Sequence, residues 1–341
     1  GLSNGTSYVA KAWAINDYGN GPLSDATSSF TPIAASVGLF MAGYVGSGPV
    51  NIVDKIVPET AGNAVDFGDT SATKYSGAGF SSDTRSIVAG GYGPSVALNV
   101  IEYFTFASAG NATDFGDLSS TAYVSAGFSN NVRGVIALGY SGGYVNTLEY
   151  VTIASTGNAT DFGDASVAER GFAGGLASTT RGVFGGGENS GKTNVIDYVT
   201  IASVGNATDF GDLTEARYGP AGASSNTRGI FGGSGSGTYG NVIDYITIAS
   251  TGNAIDFGDT LEVRDMLAGL ANSTKAIFGG GRNDSGGSTT IQQVTIATTG
   301  DATDFGDLTA AKSFSAGACS GADAVQNEAD FAPAAIGLFG G

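Results

Sequence analysis

Short apolar runs alternate with glycine-rich turns along most of the chain. One stretch shows the pattern: residues 218–224 are small, 229–233 are apolar and end in two glycines, 241–249 alternate apolar and polar, and 254–259 close the period. Runs of this length, rich in Val, Ile, Thr, Tyr and Phe, predict β-strands, and no segment shows the period of an amphipathic helix. The pattern therefore predicts an all-β protein.

The four runs recur six times with a fixed spacing. The marker is the tetrapeptide Asp-Phe-Gly-Asp, which begins at Asp66, Asp114, Asp161, Asp209, Asp256 and Asp304, in steps of 48, 47, 48, 47 and 48 residues. Four short strands in a repeat of this length match one propeller blade. We predict a β-propeller of six four-stranded blades from 47–48-residue repeats, with seven blades or an open β-solenoid as alternatives.

The two ends of the array predict how the ring closes. The second-strand motif Gly38-Leu-Phe40 precedes the first tetrapeptide, and a first strand, 313–318, follows the last one. We expect these pieces to join in one blade made from both ends. The sequence of residues 331–339 resembles that of residues 30–40, which indicates a further repeat or a partial seventh blade.

Several features resemble kelch-type propeller repeats: the third strand with Ile-Asp-Tyr, the basic residue that closes most repeats, and the double glycines. Those glycines are Gly90-Gly91, Gly186-Gly187, Gly232-Gly233 and Gly279-Gly280. The blade tryptophan of kelch repeats is missing, and we expect the Phe of Asp-Phe-Gly-Asp to replace it. The repeats with Asp-Phe-Gly-Asp, which cover residues 37–318, are similar in sequence to repeats in structural and tail-fibre proteins of tailed phages, especially marine ones.

Residues 1–30 resemble the C-terminal part of a fibronectin type III module. The resemblance rests on Leu2 six positions before Tyr8, then Ala14-Ile-Asn16, Gly19, Gly21-Pro22 and Ser24. It implies a spacer of the kind found in extracellular fibres. The predicted organisation is this partial module (1–30), a linker (31–36), a kelch-like propeller (37–320) and an extension or start of a further repeat (321–341). We interpret the chain as a piece of a longer protein.

Composition narrows the functional classes. The net charge of −17 argues against a nucleic-acid partner, which needs clustered Lys and Arg, and against docking on anionic membranes. There is no histidine, so nucleophilic systems that use His and copper sites with His ligands are excluded. One cysteine allows no intrachain disulfide. We predict no enzyme, no membrane insertion and an extracellular location on a virion surface, with a bacterial cell surface as the alternative.

Charged residues recur in rows, and repetition in every blade is what an inter-blade lock needs. Basic residues recur in two rows, a first row in the turn between the first and second strands and a second row between the fourth strand and the next first strand, and acids recur in the tetrapeptide and on the third strand. The second basic row is Lys74, Arg170, Arg217, Arg264 and Lys312, and the third-strand acids are Asp54, Glu102, Glu149, Asp197 and Asp244. We predict that Arg–Asp pairs between these rows and Asx-turn hydrogen bonds form the lock. The predicted inter-blade residues are Arg85, Arg133, Arg181, Arg228, Lys275, Asp114, Asp161, Asp209 and Asp256. Ca²⁺ bound by Asn206, Asp209 and Asp212 is the alternative for the acids, and otherwise no cofactor or metal is expected.

Recognition is expected on the face that carries the loops between the second and third strands, because these loops vary most between copies. Tyrosine among Gly, Ser and Asn is typical of adaptable binding loops. The candidate ligand-binding residues are Tyr44, Tyr92, Tyr140, Tyr144, Tyr239, Asn189 and Arg282. The leading hypothesis is a non-catalytic receptor-binding module on a fibre that recognises a host surface glycan or protein and contacts other virion or fibre subunits. The alternative is a scaffold that assembles into a particle or filament without a host receptor.

Overall fold

The computed structural model describes residues 8–11, 15–16, 19–20, 23–25, 35–167, 170–188, 190–234 and 239–321. Two compact units divide the chain, Gly1–Ala35 and Ser36–Gly341. In the first unit β1 (Ile15–Asn16) and β2 (Gly19–Asn20) form an antiparallel pair. Most of the predicted fibronectin-like segment lies outside the described residues, and so do positions 322–341.

The second unit consists of strands and turns, and its described residues contain no helix, so none that could cross a membrane. In chain order the strands are β3 (Gly38–Val45), β4 (Gly48–Ile56), β5 (Val65–Lys74), β6 (Ala78–Ser81), β7 (Arg85–Ala89), β8 (Val100–Thr105), β9 (Thr113–Asp117), β10 (Ala126–Ser129), β11 (Arg133–Tyr140), β12 (Tyr144–Thr152), β13 (Thr160–Asp164), β14 (Gly174–Ala177), β15 (Arg181–Gly185), β16 (Thr193–Thr200), β17 (Thr208–Arg217), β18 (Ala221–Ser224), β19 (Arg228–Gly232), β20 (Gly240–Thr247), β21 (Ile255–Ala271), β22 (Lys275–Asn283), β23 (Gly286–Thr295), β24 (Thr303–Lys312) and β25 (Ala316–Cys319).

The strands form antiparallel sheets arranged as a β-propeller, which confirms the all-β propeller prediction. Four sheets have four strands, in the orders β25-β3-β4-β5, β6-β7-β8-β9, β10-β11-β12-β13 and β14-β15-β16-β17. The fifth runs from β18 to β24 in chain order. Its central strand β21 pairs with β20 through its first half and with β22 from Asp265 onward. One long strand, β21, therefore joins the strands β18–β20 to the strands β22–β24.

The ring closes through both ends of the repeat array. Strand β25 pairs with β3, with Ala316 opposite Met41 and Cys319 opposite Gly38, so the predicted two-piece closure is confirmed. The short inner strands also contact one another in a cycle, β6 to β10 to β14 to β18 to β21 to β25 and back to β6. All five sheets described for the second unit are therefore linked through these strands.

One glycine from each inner strand marks the narrowest approach at the axis. A Cβ atom added to any of them would lie 2.1–2.5 Å from the carbonyl oxygen of the corresponding glycine in the neighbouring strand. These residues are Gly79, Gly127, Gly175, Gly222, Gly269 and Gly317. Real Cβ atoms do not approach oxygen so closely, so only glycine fits at this level.

The hydrophobic core lies between the faces of neighbouring sheets. One cluster joins Phe80, Ile101 and Phe115 of one sheet to Ile136 and Val151 of the next. Every tetrapeptide phenylalanine is buried, with 2–3% of its surface exposed: Phe67, Phe115, Phe162, Phe210, Phe257 and Phe305. Full burial of such a side chain contributes about 2–3 kcal/mol. The repeated phenylalanine therefore anchors the fourth strand of each repeat to the core.

Candidate binding face

Tyr44, Tyr92 and Tyr140 lie at or just beyond the ends of second strands, beside the connection from a fourth strand to the next first strand. Tyr144 and Tyr239 lie where third strands begin. Isolated backbone bridges join the two passages, Tyr75 to Tyr92, Tyr123 to Tyr140 and Tyr44 to Ser313. These two kinds of connection therefore lie on one face. We call this face the loop face.

Six tyrosine rings form a continuous row on the loop face. Successive ring centroids are 5.3, 5.7, 5.0, 5.4 and 5.4 Å apart along the order Tyr44, Tyr75, Tyr92, Tyr123, Tyr140 and Tyr144. Edge-on and tilted arrangements at these distances are favourable aromatic contacts. Tyr44 is 38% exposed and the other five are partly buried, so the row leaves part of its surface open to solvent while its members contact one another.

Sequence reasoning missed Tyr75, Tyr123 and Phe314, which complete this surface. Phe314 lies 5.6 Å from Tyr75, ring centroid to ring centroid. A signal was available, because Tyr75 and Tyr123 are 48 positions apart and both lie in the crossing that shares the loop face. Loop variability did not indicate them, because they lie in the more regular connection between a fourth strand and the next first strand.

The residues in the connection from a fourth strand to the next first strand are held by backbone hydrogen bonds that run around the axis. Val124 N–H donates to Ser76 O (2.8 Å), Phe172 N–H to Val124 O (2.7 Å), and Ser76 N–H to Phe314 O (2.8 Å). Their backbone is left-handed, with φ between 54° and 66° at the six repeated positions Ser76, Val124, Phe172, Gly219, Met266 and Phe314. Left-handed backbone is costly for a β-branched residue such as Val124. Because the conformation recurs in every repeat, we attribute it to the turn from the outer edge to the axis.

The other part of the loop face carries charge instead of a tyrosine row. Arg282 Nε donates to Asp265 Oδ1 at 3.0 Å, and the guanidinium lies 4.7 Å from the centroid of the Phe314 ring. Tyr218 packs on Phe172 at 4.3 Å, and burial raises the pKa of its phenol, although Arg282 acts in the opposite direction. Tyr239 is partly buried. Asn189 lies outside the described residues.

The repeated tetrapeptide makes its contacts on the face opposite the loop face. The N–H of its second aspartate donates to a turn side chain of the neighbouring repeat at 3.0–3.1 Å in all six copies. The acceptors are Asn63, Asn111, Asn158, Asn206, Asn253 and Asp301. A Cβ at the tetrapeptide glycine Gly211 would lie 2.5 Å from Gly252 O, so this glycine permits the contact. The repeated Asn and Gly thus join neighbouring repeats.

The first row of basic residues bonds to carbonyl groups of the neighbouring repeats. Arg228 Nη1 donates to Ile296 O at 2.8 Å while its guanidinium lies 4.5 Å from the centroid of the Tyr245 ring. Arg85, Arg133 and Arg181 make the same two contacts at their own positions. Lys275 Nζ lies 3.4 Å from Glu59 O.

The predicted acidic partners lie elsewhere. Asp114, Asp161, Asp209 and Asp256 are exposed, and among the described side chains none of them forms an ion pair with an arginine. Each stands instead across from an acid of the third strand, as Asp209 does from Asp197. In the first basic row, the expected Arg–Asp pairs are therefore replaced by bonds from Arg to main-chain oxygen, and the role of these arginines in joining neighbouring repeats stays a prediction.

Replacement of Arg228 by Ala should lower the free energy of unfolding by about 2 kcal/mol, because it removes one charge-assisted hydrogen bond and one cation–π contact. Chemical denaturation of the full chain measures the loss. Arg228→Lys should lose less, since Lys275 already fills the corresponding position in another repeat. Equal stability of Arg228→Ala and the unchanged protein would contradict a stabilising role between neighbouring repeats.

A second row of basic residues forms the buried ion pairs. Lys74 pairs with Glu102, Arg170 with Asp197, Arg217 with Asp244, and Lys312 with Asp54, and each of these side chains is at most 1% exposed. Burial raises the pKa of Asp197 although Arg170 lowers it, and burial lowers the pKa of Arg170, Arg217 and Lys312. Desolvation is therefore the dominant electrostatic cost at these joints.

The described residues contain no group of three or more His, Cys, Asp or Glu side chains close enough to hold a metal ion. One of the expected oxygen ligands of the tetrapeptide turn has another partner, since Asn206 Oδ1 accepts the N–H of Asp164.

No known protein-family model matches this chain, and a search of curated protein sequences finds none that matches it.

Proposed function

We propose that the protein is a non-catalytic recognition module that binds a host surface glycan or protein through the loop face. The observation that supports this most is the row of six partly exposed tyrosines, from Tyr44 to Tyr144. Tyrosine offers a large, rigid ring and a hydroxyl group at little entropic cost, which suits it to recognition. Glycans are our first choice of ligand, because their rings combine apolar faces with hydroxyl groups.

We further propose that the propeller has six blades, with the seven-stranded sheet counted as two blades that share β21. Two features support this count. The axial glycines form a cycle of six, and the bond from the second tetrapeptide aspartate to the neighbouring repeat occurs six times. A kelch-like classification rests on the sequence resemblance alone.

The proposed setting is a fibre on a virion surface, with a bacterial cell surface as the alternative. The resemblance of residues 1–30 to part of a fibronectin type III module and of the repeats to phage structural and tail-fibre proteins supports this setting. Binding without catalysis is favoured by the lack of histidine in the whole sequence. Neighbouring fibre subunits are the proposed structural partners.

Binding of the full 341-residue chain to a glycan array and to candidate host cells tests the proposal. Tyr140 and Tyr144 face each other as a cross-strand pair, so the double variant Tyr140→Ala, Tyr144→Ala should weaken binding by about tenfold or more. The matched control is Val132→Ala with Val204→Ala, which removes exposed apolar side chains from turns outside the loop face. Absence of binding by the unchanged protein would contradict the proposal and favour an assembly scaffold.

A further inference from the structure

We infer that a cavity at one end of the tyrosine row binds the carboxylate of an acidic sugar. The cavity has a volume of about 370 Å³ and is lined by Tyr44, Tyr75, Arg282, Ser313, Phe314 and the Gly286–Gly287 turn, among others. This volume lies at the small end of ligand sites and fits one or two sugar rings. The inference rests on the proposed glycan-binding function and specifies its ligand class.

Of the described residues that line the cavity, only Arg282 has a charged side chain. Its Nε is bonded to Asp265, and the stack on Phe314 fixes the plane of the guanidinium. Among the described residues, neither Nη1 nor Nη2 has a hydrogen-bond partner, and the side chain is 39% exposed. A guanidinium held in place with two free donors is suited to bidentate binding of a carboxylate.

Asp265 holds the arginine without competing for the ligand. Its side chain is 3% exposed, and it is not among the residues that line the cavity. The cavity therefore offers hydrogen-bond donors from Arg282 and hydroxyl groups from Tyr44 and Tyr75, with no carboxylate at its surface to repel an anion. The protein as a whole carries a charge of −17, so this is a local exception to a repulsive surface.

The aromatic lining favours a sugar acid over a compact inorganic anion. Tyr44 and Tyr75 are in edge contact at 5.3 Å and continue into the tyrosine row, so a chain of sugars could follow them away from Arg282. A phosphate ion would satisfy the guanidinium and leave those rings without a contact. An acidic oligosaccharide uses both parts of the site.

Calorimetric titration of the full chain with trigalacturonate, its methyl ester and neutral galactotriose tests this inference. The ester keeps the sugar rings and removes the negative charge, so its affinity should be at least about tenfold lower. Arg282→Gln should reduce binding of trigalacturonate by a similar factor, and Arg282→Lys should restore only part of it, because an ammonium group lacks the planar pair of donors. Lys55→Gln, a cation on β4 that is not part of the cavity, is the charge-matched control.

The outcomes separate the two proposals. Equal affinity for the acid and its ester, with binding still lost in the Tyr140 and Tyr144 double variant, would overturn the carboxylate site and leave glycan binding intact. Absence of binding to every saccharide on the array would overturn glycan binding itself. Should Arg282→Gln fail to fold, the comparison of acid with ester on the unchanged protein decides the question.

Discussion

Gly175→Ala should destabilise the propeller by about 3 kcal/mol or more. The added Cβ would lie 2.5 Å from the carbonyl oxygen of Gly127, and the next nearest atoms are also main-chain atoms of Gly127. A side chain could rotate away from such a clash, whereas backbone cannot. Because neighbouring strands touch in a cycle, relief at one contact displaces the strands on both sides.

Chemical denaturation followed by circular dichroism measures this change, with Gly143→Ala as the matched control. Gly143 lies between β11 and β12 and has no heavy atom within 4 Å of an added Cβ, so its replacement should alter stability by less than about 1 kcal/mol. Failure of Gly175→Ala to accumulate as folded protein agrees with the expectation. Similar denaturation midpoints for the two variants would show that the inner strands are not in contact at Gly127.

The period and the strand patterns were enough to predict the propeller and its two-piece closure. Four strands repeated every 47 or 48 residues have few ways to bury their faces, and the unmatched pieces at 38–40 and 313–318 predicted the pairing of β25 with β3. The need for small residues at the axis was predictable for the same reason. The identity of Gly175 and its equivalents as the closest approach was not, since glycines are frequent throughout.

Partners of the charged rows could not be predicted, because they depend on how one sheet is placed against the next. Arg228 and Asp256 both recur in the repeats, yet Arg228 reaches a main-chain oxygen and Asp256 faces solvent. The acids that do form ion pairs, such as Asp244, are on the third strand, and the sequence identifies them only as a repeated row. Repetition identifies residues that matter to the fold, and packing between sheets decides which of them meet.

The candidate site was predicted in part for a related reason. Variable loops indicated Tyr44, Tyr92 and Tyr140, and the structure joins them through Tyr75 and Tyr123, which belong to a different connection. Arg282 was named from the sequence, but its fixed orientation depends on Asp265 and Phe314, which are 17 positions before it and 32 after it. Contacts at such distances along the chain are set by the closed ring.

Asp244→Asn should lower the free energy of unfolding by about 3–5 kcal/mol, because it leaves the buried guanidinium of Arg217 without a counter-charge. Both side chains are fully buried, and Asp244 also accepts the hydroxyl of Thr214 at 2.6 Å. Arg217 Nη1 keeps its bond to Val242 O at 2.7 Å, but a carbonyl oxygen does not neutralise the charge. The double variant Arg217→Met, Asp244→Leu should recover most of the loss, since it removes both charges and fills the space.

The protein supplies its own control for this experiment. At the joint where Glu149 occupies the acidic position, Ala122 stands where other repeats carry Lys or Arg, and no ion pair involves Glu149 within the described residues. Glu149 Oε1 accepts the N–H of Ser119 at 3.1 Å, a bond that an amide oxygen can also accept. Glu149→Gln should therefore change stability by less than about 1 kcal/mol. If Asp244→Asn costs no more than Glu149→Gln in the same denaturation assay, the buried pair does not stabilise the joint between its two sheets.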